Sequence, residues 1–538
     1  MKPILEIAQQ LDLGPKDLEP YGHHLAKLGW NAAEALRTAR PRGKLVLVTA
    51  MTPTKYGEGK TTTTIALAQG LKRRNVRVVA ALREPSFGPI FGAKGGGTGG
   101  GKATLEPSAR INMHCTGDLH AITQANNLLA SLVDNAIHYP IEGVKLKTAS
   151  WRRCIDLNDR FLRSVVIGLG GTANGVPRED GFDITAASEV MATLCMSEGL
   201  EDLKKRLGRL VVGVDDKGNA ITAASLKAVG AMASILGEAM LPNLAQTNEG
   251  VPVFVHGGPF ANIAHGCNSI AATRSALALG DVVVTEAGFA FDLGGEKFLD
   301  LKCRQAGFWP HAVVLVVTAR AIRAHGGDQP GLGAIEQGFA NVARHLKSIR
   351  SFGLQPIVAL NVFAQDTEEE LKLVEKLCAA QEAPVARNRG FLDGGAGAEA
   401  LADTLMAALP KEAPVPKHPY ALDAPFEDKV RAVAQTVYGA AEVEITHEAK
   451  KSLARYESWG AGKLPVCMAK THLSLSDDPT LAGAPTGFTL IVRDVRYSAG
   501  AGFLLALTGE ILTMPGLPKA PAAWNFDLTP DGRVTGLA

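Results

Sequence analysis

The residues with the clearest chemical use lie between Thr54 and Lys102. The segment Thr54-Lys55-Tyr56-Gly57-Glu58-Gly59-Lys60-Thr61 resembles the P-loop pattern G-x-x-x-x-G-K-[ST], with Thr54 where the first glycine would stand. Amides around Gly57, Gly59 and Lys60 can cradle phosphate oxygens at a helix N-terminus, Lys60 can reach the outer phosphates of ATP, and Thr61 can hold the accompanying Mg2+. The simpler reading, a glycine turn before a threonine-capped helix, leaves the order of strand, loop, Gly-Lys-Thr and helix to coincidence. Lys55 is either a second signature lysine, as in dimeric P-loop ATPases, or an exposed charge. Arg83 opens a stretch ending Lys94-Gly-Gly-Gly-Thr-Gly-Gly-Gly-Lys102, too rich in glycine for a regular element and suited to lying against a ligand. Its guanidinium offers fixed bidentate donors and a permanent charge, a natural clamp for a carboxylate or phosphoryl group. The alternative is an ion pair of no great consequence. His114, Asp118 and His120, in a polar run unlike a core segment, could serve as acid, base or supporting hydrogen-bond groups. His256 and His265 read first as satisfied buried histidines.

These residues need a scaffold that brings strand ends together. Lys44-Leu-Val-Leu-Val-Thr49 reads as a buried strand, Thr61 to Arg74 as a helix and Val76 to Leu82 as a second strand, which makes a βαβ unit. Apolar runs recur at Ser164–Gly168, Arg209–Gly213, Val251–Val255, Asp281–Thr285, Ala312–Val317 and Gln355–Leu360, separated by helix-like segments. The alternation predicts an α/β fold, a parallel sheet covered on both faces, with ligands at the C-terminal strand edge. Four prolines between Pro410 and Pro419 predict an extended connector, beyond which Phe488–Val495 and Gly502–Thr508 read as strands.

At 538 residues the chain exceeds one core and predicts two or three domains. A hydrophobic fraction of 46% and a charged fraction of 20% exclude the disordered and fibrous classes. The net charge of +2 gives no general attraction to nucleic acid or to a membrane surface. Seven scattered cysteines without a C-x-x-C pair argue against a disulfide framework or thiolate zinc site, and no H-E-x-x-H spacing points to a transition metal. With no secretory leader or membrane span in view, the expected compartment is the cytoplasm.

The chain resembles the formate tetrahydrofolate ligase family. The likeness rests on Thr52-Pro-Thr-Lys-Tyr-Gly-Glu-Gly-Lys-Thr-Thr62, Arg83-Glu-Pro-Ser-Phe-Gly-Pro89, Asn112-Met-His-Cys-Thr-Gly-Asp-Leu-His120, His256 to Asn268 and Glu286 to Phe298. It continues through Leu464–Lys470 and Thr513–Lys519. The resemblance implies ATP-dependent ligation of formate to tetrahydrofolate, giving 10-formyltetrahydrofolate, ADP and phosphate through formyl phosphate. Lys60 and Arg83 are the expected catalytic residues, with His114 and Asp118 as further candidates, and residues 54–61 are the expected ATP-binding segment; the resemblance implies that Phe363 and Phe391 hold the pterin ring. Phe391 departs from the tryptophan expected in many relatives. The resemblance also implies K+ or NH4+ as an activating cation and a homotetramer. The expected organisation is a nucleotide- and formate-binding domain over 1–350, a folate-binding α/β domain over 351–445 and a C-terminal domain over 446–538, the last two smaller and α/β or α+β. A P-loop ATPase that switches a partner would explain Lys55 and the βαβ unit, but has no need of Arg83 or a distant aromatic pair.

Overall fold

The computed structural model describes residues 1–538 apart from Tyr56, Glu142, Glu510 and Ala538. Its centre is a 12-stranded sheet. In chain order the elements that build it around the site are strand Lys44–Ala50 (β1), helix Lys60–Arg73 (α1), strand Val78–Leu82 (β2), strand Asn243–Thr247 (β3), strand Pro252–Val255 (β4), helix Ile270–Leu279 (α2), strand Val282–Glu286 (β5) and strand Ala312–Thr318 (β6). Helix Ala319–His325 (α3), helix Leu332–Ser351 (α4), strand Pro356–Asn361 (β7), helix Glu368–Ala380 (α5), strand Val385–Asn388 (β8) and helix Glu399–Ala408 (α6) follow. The spatial order is β3-β4-β2-β5-β1-β6-β7-β8, and every pairing from β4 to β8 is parallel. β3 runs antiparallel to β4 and carries the hairpin Leu18–Pro20/Ala26–Leu28 at its edge.

The valine-rich strands sort themselves by the two-residue period. Leu45, Leu47, Val313, Leu315 and Val317 enter one core with Ala276 of α2 and Phe339, Val342 and Leu346 of α4. Val46, Val48, Val314 and Val316 enter the other with Ile65, Leu67 and Leu71 of α1 and Leu401 and Leu405 of α6. Both faces are covered, as near-continuous apolar runs require. All seven cysteines are buried and unpaired.

Two of the apolar runs are not in this sheet. Among the described residues Val165–Ile167 pairs only with Arg178–Asp180, antiparallel, and Val166 is 60% exposed. Val211–Val214 forms an antiparallel ladder with Ala220–Thr222 and Thr148–Ala149. The turn Asp215-Asp-Lys-Gly-Asn219 closes that hairpin, Asp215 Oδ1 accepting from the amides of Lys217 and Asn219 at 2.8 Å each. A short apolar run does not reveal its partner, and here the turn residues were the better signal. Both hairpins border a lobe built on helix Asp118–His138, whose Leu129 and Val133 pack with Leu203, Leu207, Met232 and Leu236 in a separate core.

The expected division near residue 350 falls inside α4, and β7 beyond it is hydrogen-bonded to β6 before it. Toward the C-terminus, Val466–Ala469, Phe503–Leu507 and Asp494–Ser498 form a small mixed sheet, and Glu442–Ile445 pairs parallel with Thr489–Val492.

Candidate functional site

The chemistry-bearing residues collect where the parallel strands end. Reading across the sheet, Arg83 follows β2, Glu286 closes β5, the loop Thr54–Gly59 follows β1, Arg320 follows β6, Phe363 follows β7 and Phe391 follows β8. Both aromatic side chains reach back toward the glycine loop: the Arg320 guanidinium lies between the Gly57 carbonyl and the Phe363 ring, and Phe391 and Thr62 both border Gly100.

The loop is shaped by its backbone. Gly57 (φ +70°) and Gly59 (φ +71°) take the left-handed conformation that glycine adopts without strain, and Thr54 does not, so nothing at that position asks for the missing glycine. Gly59 is the N-cap of α1 and provides no side-chain cap. The first amides of a 14-residue helix therefore point outward beside its positive pole, as an anion site requires. Glu58 turns inward: its carboxylate accepts from the Thr54 amide (2.9 Å) and hydroxyl (3.0 Å) and from the Thr318 hydroxyl (3.2 Å), stapling the loop to β6. Asn361 Nδ2 donates to the Glu58 carbonyl at 2.9 Å, and Asn361 Oδ1 accepts from Thr63 (3.0 Å) and Asn388 (2.7 Å), tying β7 and β8 to the loop. Lys55 is exposed and 3.4 Å from Asp328, a surface pair of small energetic consequence. Tyr56 lies outside the described residues.

Lys60 is partly buried at the start of α1, and its pKa is pushed down to about 8, first by desolvation and then by the positive charges of Arg83 and Lys94, against the pull of Glu286 and Glu58. Arg83 Nη1 donates to the Pro259 carbonyl at 3.3 Å, and Nη2 stands 4.0 Å from Glu286 Oε1. Arg83 Nε is buried without a hydrogen bond among the described residues, a donor that an anion would satisfy. Glu286, buried at the end of the neighbouring parallel strand, accepts from the Thr61 hydroxyl at 2.9 Å. Two cations, a helix N-terminus and a threonine held by a carboxylate can neutralise and orient a polyphosphate beside a small acid.

The polar run after Asn112 divides. His114 and His120 are exposed, His114 meeting the Phe87 ring edge-on at 5.2 Å between centroids. Asp118 is buried, 2.7 Å from Lys27 Nζ and accepting from Asn243 Nδ2 at 2.8 Å. Glu84 sits against it, its carboxyl held well above the ordinary range by burial and by the Asp118 charge. His256 is buried between Ser269 Oγ (2.6 Å) and the Ala239 carbonyl (2.7 Å), and burial pushes it down to about 4. Burial and nearby lysines push His265 down to about 3, and both of its ring nitrogens lack hydrogen bonds among the described residues.

Phe363 is half-buried with the Arg320 guanidinium 3.8 Å from its ring centroid. Phe391 is 49% exposed, so part of its ring is open to a ligand at the strand edge. Its carbonyl accepts from the Lys102 amide at 2.9 Å, and a Cβ on Gly101 would lie 2.1 Å from that carbonyl. The glycines at 100–101 thus admit the Phe391 segment.

Sequence reasoning did not single out Glu286, Lys27, Asn361 or Arg320. Lys27 had a signal, a lysine amid Leu25-Ala-Lys-Leu28. Glu286 had one too, an acid ending Asp281-Val-Val-Val-Thr285. Asn361 and Arg320 gain meaning only from which strands are neighbours.

An α/β sheet whose C-terminal edge gathers a Gly-Lys-Thr helix start, an arginine, a buried carboxylate and two phenylalanines, one half-buried and one exposed, defines a ligand-binding enzyme of the open-sheet class. The sequence model of the family described as formate--tetrahydrofolate ligase matches residues 1–538. The formate--tetrahydrofolate ligase of Myxococcus xanthus (strain DK1622) is 54% identical over 548 residues, covering 100% of this chain and 99% of the relative. That of Methylobacterium nodulans is 52% identical over 546 residues, covering 100% and 98%. The chain belongs to the formate--tetrahydrofolate ligase family. Among the described residues no helix is long and apolar enough to cross a membrane.

Proposed function

We propose that this chain joins formate to tetrahydrofolate using ATP, and that the strand-edge order Arg83, Glu286, Lys60–Thr61, Phe363, Phe391 sets the two half-reactions side by side. The observation that carries this is the pair Lys60 and Arg83 flanking Glu286, with aromatic side chains two and three strands from β1. A formate oxygen attacks the γ-phosphorus held by the residue 54–61 loop. The bond to the β–γ bridging oxygen breaks and ADP leaves with that electron pair. Arg83 is placed to hold formate and then the formyl phosphate, and Lys60 to offset the charge on the transferring group. N10 of tetrahydrofolate then attacks the formyl carbon, the carbon–oxygen bond to phosphate breaks, and N10 loses its proton.

Phe363 and Phe391 would hold the pterin ring between their faces. His114, exposed near Phe87, is the candidate to take the proton; Asp118 would act from its ion pair with Lys27. The Thr61 hydroxyl, oriented by the Glu286 carboxylate, forms the oxygen-rich setting that suits Mg2+, which would supply charge neutralisation on ATP. K+ or NH4+ activation, the cytoplasmic compartment, the folate-binding assignment of 351–445 beside domains 1–350 and 446–538, and a homotetramer belong to the same reading. The exposed side chains of Phe161, Val166, Leu169 and Val176 offer surface for contacts between copies. The full-length family match does not favour a partner-switching ATPase.

Purified protein given MgATP, formate and tetrahydrofolate is expected to form 10-formyltetrahydrofolate, followed by its absorbance after acid conversion to the methenyl form. Omission of any one substrate should abolish the product. ATP turnover that persists without formate and folate would sink the reading.

A further inference from the structure

Arg320 joins the glycine loop to an aromatic ring that stands on a different strand. It leaves the first turn of α3, directly after β6, whose neighbours are β1 on one side and β7 on the other. Its Nη2 donates to the Gly57 carbonyl at 3.0 Å, and its guanidinium carbon lies 3.8 Å from the centroid of Phe363. The start of α3 is itself tied to the loop, because Thr318 both caps that helix by accepting from the Ala321 amide at 3.0 Å and donates to Glu58. A Cβ on Gly57 would meet no atom of the described residues within 4 Å, so that side of the turn is open.

We propose that Arg320 is a positioning residue that couples nucleotide binding to folate binding. Phosphates seated in the loop fix the Gly57 carbonyl; this fixes the guanidinium; the guanidinium, lying on one face of Phe363, holds the ring so that its other face meets the pterin. A planar group that hydrogen-bonds at its edge while stacking by its face can make both contacts at once, and lysine cannot. A pterin that meets a ring already held loses less conformational freedom on binding, which is positive coupling without a large movement. The inference rests on the reading of Phe363 as a pterin contact.

The test measures tetrahydrofolate affinity of the full chain by calorimetry, with and without Mg2+ and β,γ-imido-ATP. In the native protein the nucleotide analogue is expected to tighten tetrahydrofolate by about fivefold or more, the lower range of measured couplings. In Arg320→Ala and Arg320→Lys this ratio should fall toward one; as a ratio it cancels any general change in either affinity, and thermal melting verifies that both variants fold. A native ratio of one, or a ratio retained in both variants, overturns the proposal. Phe363→Leu separates the premise: it should weaken tetrahydrofolate in both states, and an unchanged affinity would show that Phe363 does not touch the pterin at all.

Discussion

Replacing Lys60 by alanine is expected to lower kcat/KM for ATP by about 10²–10³-fold, the cost of losing a preorganised charge that meets the transferring phosphoryl group. The expectation follows from position: Lys60 opens α1 beside the uncapped amides, with Glu286 and Arg83 as its charged neighbours. The same lysine predicts a pH limb. Its folded pKa is pushed down to about 8, so the ammonium that phosphate needs is full below that value and lost as pH rises through it. kcat/KM reports the free enzyme, and it should fall above about pH 8, a limb absent from the residual activity of Lys60→Ala. A flat profile to pH 9.5 would mean that the ammonium is not required. Loss of less than about fivefold in the variant would place phosphoryl transfer elsewhere.

Lys27→Met should produce the largest change in stability, about 3–5 kcal/mol by denaturant unfolding, because it strands a buried carboxylate. Lys27 Nζ and Asp118 Oδ1 are 2.7 Å apart with side chains 1% and 3% exposed. Glu84 is a second acid in the same pocket, and Lys27 is the cation that pulls its pKa down against burial and Asp118. The sign of the pH dependence is fixed. Folded Glu84 keeps a proton that the unfolded chain releases above about 4.5, so its contribution falls as pH rises, and removing Lys27 widens that gap. Measured at pH 5 and at pH 8, the deficit of Lys27→Met should not shrink as pH rises, and it grows only across the window between the folded pKa of Glu84 in the native protein and that in the variant. The double variant Lys27→Met, Asp118→Leu should recover most of it, since a buried pair is often replaceable by apolar groups of similar volume. A deficit below about 1 kcal/mol at both pH values would show that water reaches the pair.

Much of this was written in residue order. The strand before Thr54, the helix after Lys60 and the valine runs of β5, β6 and β7 were legible because a strand buried on both faces is apolar at every position. Lys60 and Arg83 were legible because few structures need a lysine after Gly-x-Gly or an arginine before so many glycines. The lobe around helix Asp118–His138 was not, since Val165–Ile167 and Val211–Val214 look locally like sheet strands and differ only in what they pair with. The inward turn of Glu58 and the Arg320 bridge were also beyond reach. Both depend on β6 lying between β1 and β7, an arrangement that brings together residues 260 and 263 apart in sequence. Asp118 shows the same limit from the other side: its polar neighbours marked it as reactive, while its partners Lys27 and Asn243 come from distant segments and enclose it.

The most direct test of phosphoryl activation uses formate labelled in both oxygens with oxygen-18. If formyl phosphate forms and its carbon–oxygen bond breaks on attack by N10, the released phosphate carries one oxygen-18 from formate and the formyl group keeps the other, only when ATP and tetrahydrofolate are both present. Unlabelled phosphate accompanying 10-formyltetrahydrofolate would contradict that route and leave the Arg83–Lys60 edge without the role given to it.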